Sequence, residues 1–374
     1  MAEWIPITRP VLAEAEEQAV TDVLRSGFLV QGPRVVEFEQ AVGEVAGRAF
    51  AVALSNCTSA LRVALLALGV GRGDLVVVAP YSWVATANVV ELCGATPVFV
   101  DVDPVSFNMS AGALDACLAD LDARSRLEHV KAVLPVDTFG NPAGIDDVCS
   151  VASRVGVPVV EDAACALGAT IGERAAGSFG TVGCFSFHPR KIVTTGEGGV
   201  LVTDDSDIAT YARAMRNHGQ SATPSGVEFV MAGDNLRLTE IQGAIGVEQM
   251  RRLPSLLTRR RQLAESYDHA VRTLGCVTQA RAPGAAVQSY VVLLPDEADV
   301  TEVIAKMRAN EVEVTIGTNV IPFVRHYQQR YQLTPTDLPI AARISQRALT
   351  LPLFPTMTSA QQDRVLDVLA HALQ

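Results

Sequence analysis

The sequence lacks most of the features that would place it in a metal, redox, membrane or nucleic-acid class. Its seven cysteines (Cys57, Cys93, Cys117, Cys149, Cys165, Cys184 and Cys276) are odd in number, and no two have the two-residue spacing of a zinc or dithiol site. That argues against a disulfide framework and predicts a reduced, cytoplasmic protein. His188, His218 and His326 are too dispersed for a metal site. No apolar run is long enough to span a bilayer, and Met1-Ala2-Glu3-Trp4 lacks the basic-then-apolar pattern of a signal peptide. Positive charge is short as well. A net charge of -11 opposes phosphate backbones and anionic membranes, so neither nucleic acid nor membrane is an expected partner. The one basic run, Arg259-Arg260-Arg261, reads as a solvated helix face. No short repeat or low-complexity tract stands out.

What is present is a chain of 374 residues, long enough for a large domain and a smaller one. From about residue 50 to 205, short Val-rich runs alternate with helical patterns. Strands are expected at Leu75–Ala79, Pro97–Val100, Lys131–Val136, Val157–Glu161, Val182–Phe187 and Val200–Thr203. Helices are expected at Ser59–Leu68, Val84–Cys93, Ala111–Leu121 and Ile145–Val155. Several of these strands are apolar at every position, as in strands covered on both faces, and the alternation predicts an α/β fold with a mostly parallel central sheet and flanking helices. Farther on, helices are expected at Arg237–Arg251, Pro254–Leu274, Val300–Asn310 and Ser359–Leu373, with short apolar runs at Tyr290–Leu294 and Glu313–Ile316. The expected division is a large α/β domain over 1–245, with an N-terminal arm, and a smaller C-terminal α+β domain over 246–374.

Four short segments carry candidate chemistry. Lys191 follows an apolar, β-prone stretch and precedes the glycine turn Gly196-Glu197-Gly198-Gly199. It is either a solvated loop charge or an amine held near a carbonyl, its pKa lowered by burial and cationic neighbours. Thr58 and Ser59 open a helix, either as ordinary capping hydroxyls or as part of a phosphate site at the helix N-terminus. Glu161-Asp162 ends a buried strand, where ligands gather in open α/β sheets; a carboxylate there could hold a pyridine nitrogen protonated, or merely cap a helix. Trp83, one of two tryptophans, follows a strand and suits either core packing or a flat platform for an aromatic cofactor. Gly69-Val70-Gly71-Arg72-Gly73 has the glycines of a dinucleotide fingerprint but leads from helix to strand, the reverse of the required order. It reads as a helix C-terminal turn.

With these pieces in order, the chain resembles the DegT/DnrJ/StrS family of fold-type-I, pyridoxal-phosphate (PLP) dependent sugar aminotransferases. The likeness runs nearly end to end. It is carried by Gln31-Gly32-Pro33, Thr58-Ser59-Ala60-Leu61, Trp83-Val84-Ala85-Thr86-Ala87-Asn88, Glu161-Asp162-Ala163-Ala164, Gly183-Cys184-Phe185-Ser186-Phe187 through Lys191, Arg216-Asn217-His218-Gly219 and Asn235-Leu236-Arg237-Leu238-Thr239-Glu240. The resemblance implies that Lys191 forms the Schiff base, or internal aldimine, with PLP and shuttles the proton. It implies that Asp162 pairs with the pyridinium nitrogen, that Trp83 stacks on the ring, and that Thr58, Ser59 and Ser186 hold the phosphate. Asn235 would reach the PLP phosphate of a neighbouring subunit, which implies a homodimer with shared active sites. The amino donor would be glutamate or glutamine, and the acceptor a keto group on a nucleotide-linked deoxysugar or a cyclitol.

The chain departs from the family pattern in several places. Cys165 stands where Gln or His often bonds the ring hydroxyl, and sulfur is a weak partner. Cys57 replaces a frequent glycine, and Gln288 a common histidine. On the acceptor side, His326 and Tyr327 are the candidate substrate residues, with only His326 and Gln328 matching the family's pattern. Two other readings are a dehydratase-like PLP relative and a non-catalytic PLP-binding regulator. The dehydratase branch has histidine where this chain has Lys191, and the intact set Asp162, Lys191 and Asn235 counts against a regulator.

Overall fold

The computed structural model describes residues 3–224 and 226–374. Its main sheet is built from seven strands: β1 (Phe50–Leu54), β2 (Leu75–Val78), β3 (Thr96–Phe99), β4 (Val130–Leu134), β5 (Val160–Asp162), β6 (Val182–Ser186) and β7 (Gly199–Thr203). Parallel bridges Val133–Val159 and Val136–Asp162 join the two halves, giving the order β3-β2-β4-β5-β6-β7-β1. All neighbours are parallel except β7, which is antiparallel to both β6 and β1. A mostly parallel sheet is therefore what the chain forms. At the exception, residues 187–198 join β6 to β7 without forming a helix and turn straight back, so the two strands pair antiparallel.

Side chains along each strand alternate between two cores, as the pleat requires. Val76, Val78, Cys184 and Leu201 face α3 (Cys57–Ala67), α4 (Ala85–Leu92) and α7 (Ser206–Met215). On the other face, Phe185, Val200 and Val202 meet α2 (Pro33–Ala46) and α8 (Glu240–Thr273), while Leu75, Val77 and Val133 meet α5 (Ala111–Ala123) and α6 (Ile145–Arg154). β1 escaped the sequence reading because its Ala-rich run, Phe-Ala-Val-Ala-Leu, carries no distinct strand period.

Two sequence expectations fail along α8. The segments Arg237–Arg251 and Pro254–Leu274 are one helix of 34 residues that contains Pro254. A proline removes a single amide donor, and here a Thr239–Gln242 capping box and packing against α2 and α1 (Glu14–Ser26) hold the helix together. Residue 245 lies within this helix. The Arg259-Arg260-Arg261 run is not a solvated face: Arg260 is buried and donates to the carbonyls of Val287, Gln288 and Leu353. Arg259 and Arg261 likewise bond the Met357 and Ala285 carbonyls, so the run ties down loops that would otherwise leave acceptors unpaired.

The second half of α8 covers a separate antiparallel sheet of β8 (Val277–Thr278), β9 (Tyr290–Leu293), β10 (Thr315–Ile316) and β11 (Ala348–Leu351), in the order β8-β9-β11-β10. With α9 (Val300–Ala309) and α12 (Ser359–Ala372) it forms the smaller α+β unit. Ile5 joins this second core, and its main chain bridges to Val312. Two further helices, α10 (Arg325–Tyr331) and α11 (Pro339–Arg347), complete the chain. No helix among the described residues is long and apolar enough to cross a membrane. All seven cysteines are free.

Candidate active site

Asp162 ends β5, and Lys191 follows the carboxyl end of β6. The β6–β7 hairpin closes where the Phe187 amide meets the Gly198 carbonyl at 2.9 Å, and the Thr195 amide returns to the Phe187 carbonyl at 3.0 Å. Gly196 makes the turn at φ +83°, where a side chain would be strained. Phe187 packs edge-on against Phe38 in the core with centroids 4.8 Å apart. His188 accepts the Arg190 amide on Nδ1, and Gln288 donates its side-chain amide to the Arg190 carbonyl. The residues before Lys191 are thus a scaffold, pinned on both sides of it.

Lys191 donates from Nζ to Cys165 Sγ at 3.0 Å. This differs from the sequence expectation of a lysine depressed by burial and cationic neighbours. Burial does push its pKa down, but Cys165, Cys57 and Asp162 outweigh it and hold the amine above the ordinary lysine value. The amine thus faces an acid and two sulfurs.

Asp162 is buried, taking the Thr86 hydroxyl at 2.9 Å on Oδ2 and the Ala164 amide at 3.3 Å on Oδ1. Burial raises its pKa; the Thr86 bond, Lys191 and the Ala164 amide oppose that rise. Thr86 is itself held by Ser82, 3.0 Å away between hydroxyl oxygens. Thr86 lies in the motif beginning at Trp83, and sequence reading assigned it no role. Trp83, just before α4, is 67% exposed, so its ring is open rather than packed in the core.

The α3 N-terminus stands alongside. Asn56 caps it by accepting the Ser59 amide at 2.8 Å, so Thr58 and Ser59 lie in its first turn with partly exposed side chains. Gly199, paired with Ser186, comes so close that a Cβ there would meet the Asn56 carbonyl carbon at 2.3 Å. That approach brings Ser186 to the same helix start. Cys57 occupies the first helical position, a buried thiol whose pKa burial and then Asp162 push well up. Asn235 is exposed and bridges Asn217, while the adjacent Leu236 carbonyl accepts the Ser55 amide at 2.8 Å.

His326 and Tyr327 lie on α10 against α4. His326 meets Glu91 at 2.7 Å, and the buried Tyr327 donates its hydroxyl to Asn88 at 2.6 Å. Their side-chain hydrogen bonds are to α4, not to the Lys191 hairpin. A signal that sequence reading overlooked is the scarcity of lysine. Besides Lys191 the chain has only Lys131, bonded to a backbone carbonyl 3.2 Å away, and Lys306, paired with Glu302 at 3.0 Å.

Comparisons with known proteins identify the family. The model of the DegT/DnrJ/EryC1/StrS aminotransferase family matches residues 10–370. The chain belongs to that family. The spore coat polysaccharide biosynthesis protein SpsC of Bacillus subtilis is 34% identical over 380 residues, covering 97% of this chain and 96% of that protein. A DegT DnrJ EryC1 StrS aminotransferase from Brucella abortus is 32% identical with a TM-score of 0.88, over 96% of this chain and 95% of that one. A Streptococcus pneumoniae chain solved in its PLP-form is 25% identical with a TM-score of 0.91, over 99% and 98% of the two chains. This family member is an aminotransferase, and its fold is the fold-type-I arrangement.

Proposed function

We propose that this enzyme uses PLP to move an amino group from glutamate or glutamine to a keto group on a nucleotide-linked deoxysugar or a cyclitol. The observation that carries the reading is the grouping of Lys191, the only lysine held among buried acids and thiols, with Asp162 beside the α3 N-terminus. The donor set fits the cofactor: an amine for its aldehyde, a carboxylate for its ring nitrogen, and hydroxyls at a helix N-terminus for its phosphate. PLP bound there supplies an electron sink for removing a proton beside the amine.

The chain's own residues would divide the remaining work. Thr58, Ser59 and Ser186 hold the phosphate, Trp83 covers the ring, and Cys165 lies near the ring hydroxyl. Asp162 keeps its charge toward the ring nitrogen because Thr86 supports the carboxylate. Lys191 Nζ takes the proton from the donor carbon and returns it on the cofactor side. His326 and Tyr327 would meet the acceptor. The exposed apolar residues Phe28, Leu29, Val30 and Val36 support a homodimer, through which Asn235 would reach the neighbouring site. A sugar acceptor is supported by SpsC, whose name places it in polysaccharide biosynthesis.

The test is spectroscopic. Protein loaded with PLP should show the visible band of a lysine-bound cofactor, glutamate or glutamine should bleach it, and a keto-sugar nucleotide or keto-cyclitol should restore it. A band that neither amino donor bleaches contradicts the donor assignment. Failure of every keto-sugar and keto-cyclitol to restore it contradicts the acceptor class.

A further inference from the structure

The contact between Lys191 and Cys165 brings together two nucleophiles that the proposed chemistry uses separately. Lys191 Nζ lies 3.0 Å from Cys165 Sγ, across 26 positions of chain. Both backbones are held. The Lys191 amide donates to the His188 carbonyl at 2.8 Å, and the turn after β5 closes where the Ala166 amide meets the Ala163 carbonyl at 2.9 Å. The Cys165 carbonyl also abuts Gly140, where a Cβ would meet that oxygen at 2.6 Å. Both residues are only partly buried, so neither is sealed from small solutes. The other six thiols differ. Among the described residues none of them is bonded to an amine; Cys93 and Cys149 donate to the Arg62 and Phe179 carbonyls. Burial raises the pKa of all six, which keeps each sulfur in its less reactive thiol form.

We propose that Cys165 and Lys191 form a reversible oxidation site, at which hydrogen peroxide converts Cys165 to a sulfenic acid and the Lys191 amine then closes a sulfenamide (S–N) link. In the first step the sulfur attacks one peroxide oxygen and the O–O bond breaks. The sulfur is oxidised and the peroxide reduced; the leaving hydroxide takes one proton from the sulfur–amine pair and departs as water. In the second step the Lys191 nitrogen attacks the sulfur and the S–O bond breaks. That hydroxide leaves as water with a proton from the amine, so no further oxidant is needed. Sulfenic acids condense with a neighbouring nitrogen in this way. Two equivalents of a small thiol reverse the link, returning the Cys165 thiol and the Lys191 amine and leaving one small disulfide.

Geometry favours closure over the other fates of a sulfenic acid, because a nucleophile already in contact with the sulfur reacts without a search for its partner. The sulfur also acts on the amine. Burial lowers the Lys191 pKa, and Cys165 is foremost among the groups that oppose it. An uncharged S–OH removes that opposition and favours the neutral amine that can attack. The closed link leaves no primary amine at position 191. Its consequence for the cofactor rests on the PLP reading; the link itself does not.

The test treats the full chain, without bound PLP, with a small excess of hydrogen peroxide and maps its peptides by mass spectrometry. The peptides carrying Cys165 and Lys191 should be joined and lighter by two hydrogens than their sum. Dithiothreitol should separate them at their original masses. Cys165→Ala and Lys191→Arg should form no link, and in Lys191→Arg the Cys165 sulfur should run on to the sulfinic acid, since no amine traps it. In the unmodified chain, Cys165 found as sulfinic acid, in a disulfide or untouched, with the Lys191 peptide free, overturns the proposal. A parallel measurement follows PLP uptake. The treated chain should lose the visible band in proportion to the linked fraction and regain it after dithiothreitol. If the link forms and the band is unchanged, the Lys191 cofactor assignment fails and the link stands; if no link forms, the cofactor reading is untouched.

Discussion

Two buried groups of charge in this protein are built on opposite terms. In the first, near α2, Arg216 meets Glu39 at 2.5 Å and the Ala53 carbonyl at 2.6 Å, while Glu39 also takes the Ala53 amide at 2.8 Å. Glu240 accepts the amides of Gly32, Arg34 and Val35 within 3.0 Å, a carboxylate seated on the positive end of α2. Every one of these acids meets a cation or several donors. In the second group, Asp137, Glu161, Asp162 and Lys191 hold three acids against one amine, and all four pKa values are displaced. Glu161 too is committed to three backbone amides; Asp162, held by one hydroxyl and one amide, and Asp137 are the acids left short of partners. That shortfall is the pattern expected of a reactive site.

The contrast can be broken in either direction. Lys191→Ala should lower activity by at least about 10³-fold, on the scale of losing a catalytic acid–base group, while the urea midpoint stays close to that of the unmodified enzyme. A large loss of stability would mean that Lys191 belongs with the first group. Arg216→Ala should do the reverse. Leaving Glu39 buried without its cation is expected to cost about 3–5 kcal/mol in denaturant unfolding. Activity per folded molecule should be retained. Glu240→Gln comes next, because one amide oxygen replaces two charged acceptors at the α2 N-terminus, with an expected loss of about 1–2 kcal/mol. The smallest and sharpest is Thr86→Val. Removing the hydroxyl that holds the Asp162 carboxylate should raise the Asp162 pKa further, by on the order of 1 kcal/mol. Since the ionised form is the one the site needs, the acid limb of kcat/KM should move to higher pH. A limb that stays in place would show that Asp162 does not govern it.

The first group was hardly legible in the sequence and the second only in part. Lys191 and Asp162 could be found because hairpin turns and strand ends leave local marks: a glycine run for one, an apolar run closing on two acids for the other. Thr58 and Ser59 showed as hydroxyls at a helix start. Thr86 and Arg260 were missed because their meaning lies in partners far along the chain. Thr86 reaches Asp162 across 76 positions, and Arg260 reaches the Leu353 carbonyl across 93. Pro254 misled for a related reason: its local effect is to break a helix, and packing on α1 and α2 overrides it. Cys165 was read as a weak partner for the cofactor ring, yet in this structure it is the direct partner of the Lys191 amine. The large sheet was legible through its apolar strands, whereas β1, with its alanines, was not.

The central claim is that Lys191, alone among three lysines, holds the cofactor. Borohydride reduction of the PLP-loaded enzyme, followed by digestion and peptide mass mapping, tests it directly. The account predicts one reduced pyridoxyl group per chain, on the peptide containing Lys191. A pyridoxyl group on Lys131 or Lys306 instead, or none on any lysine while the visible band is present, would contradict it.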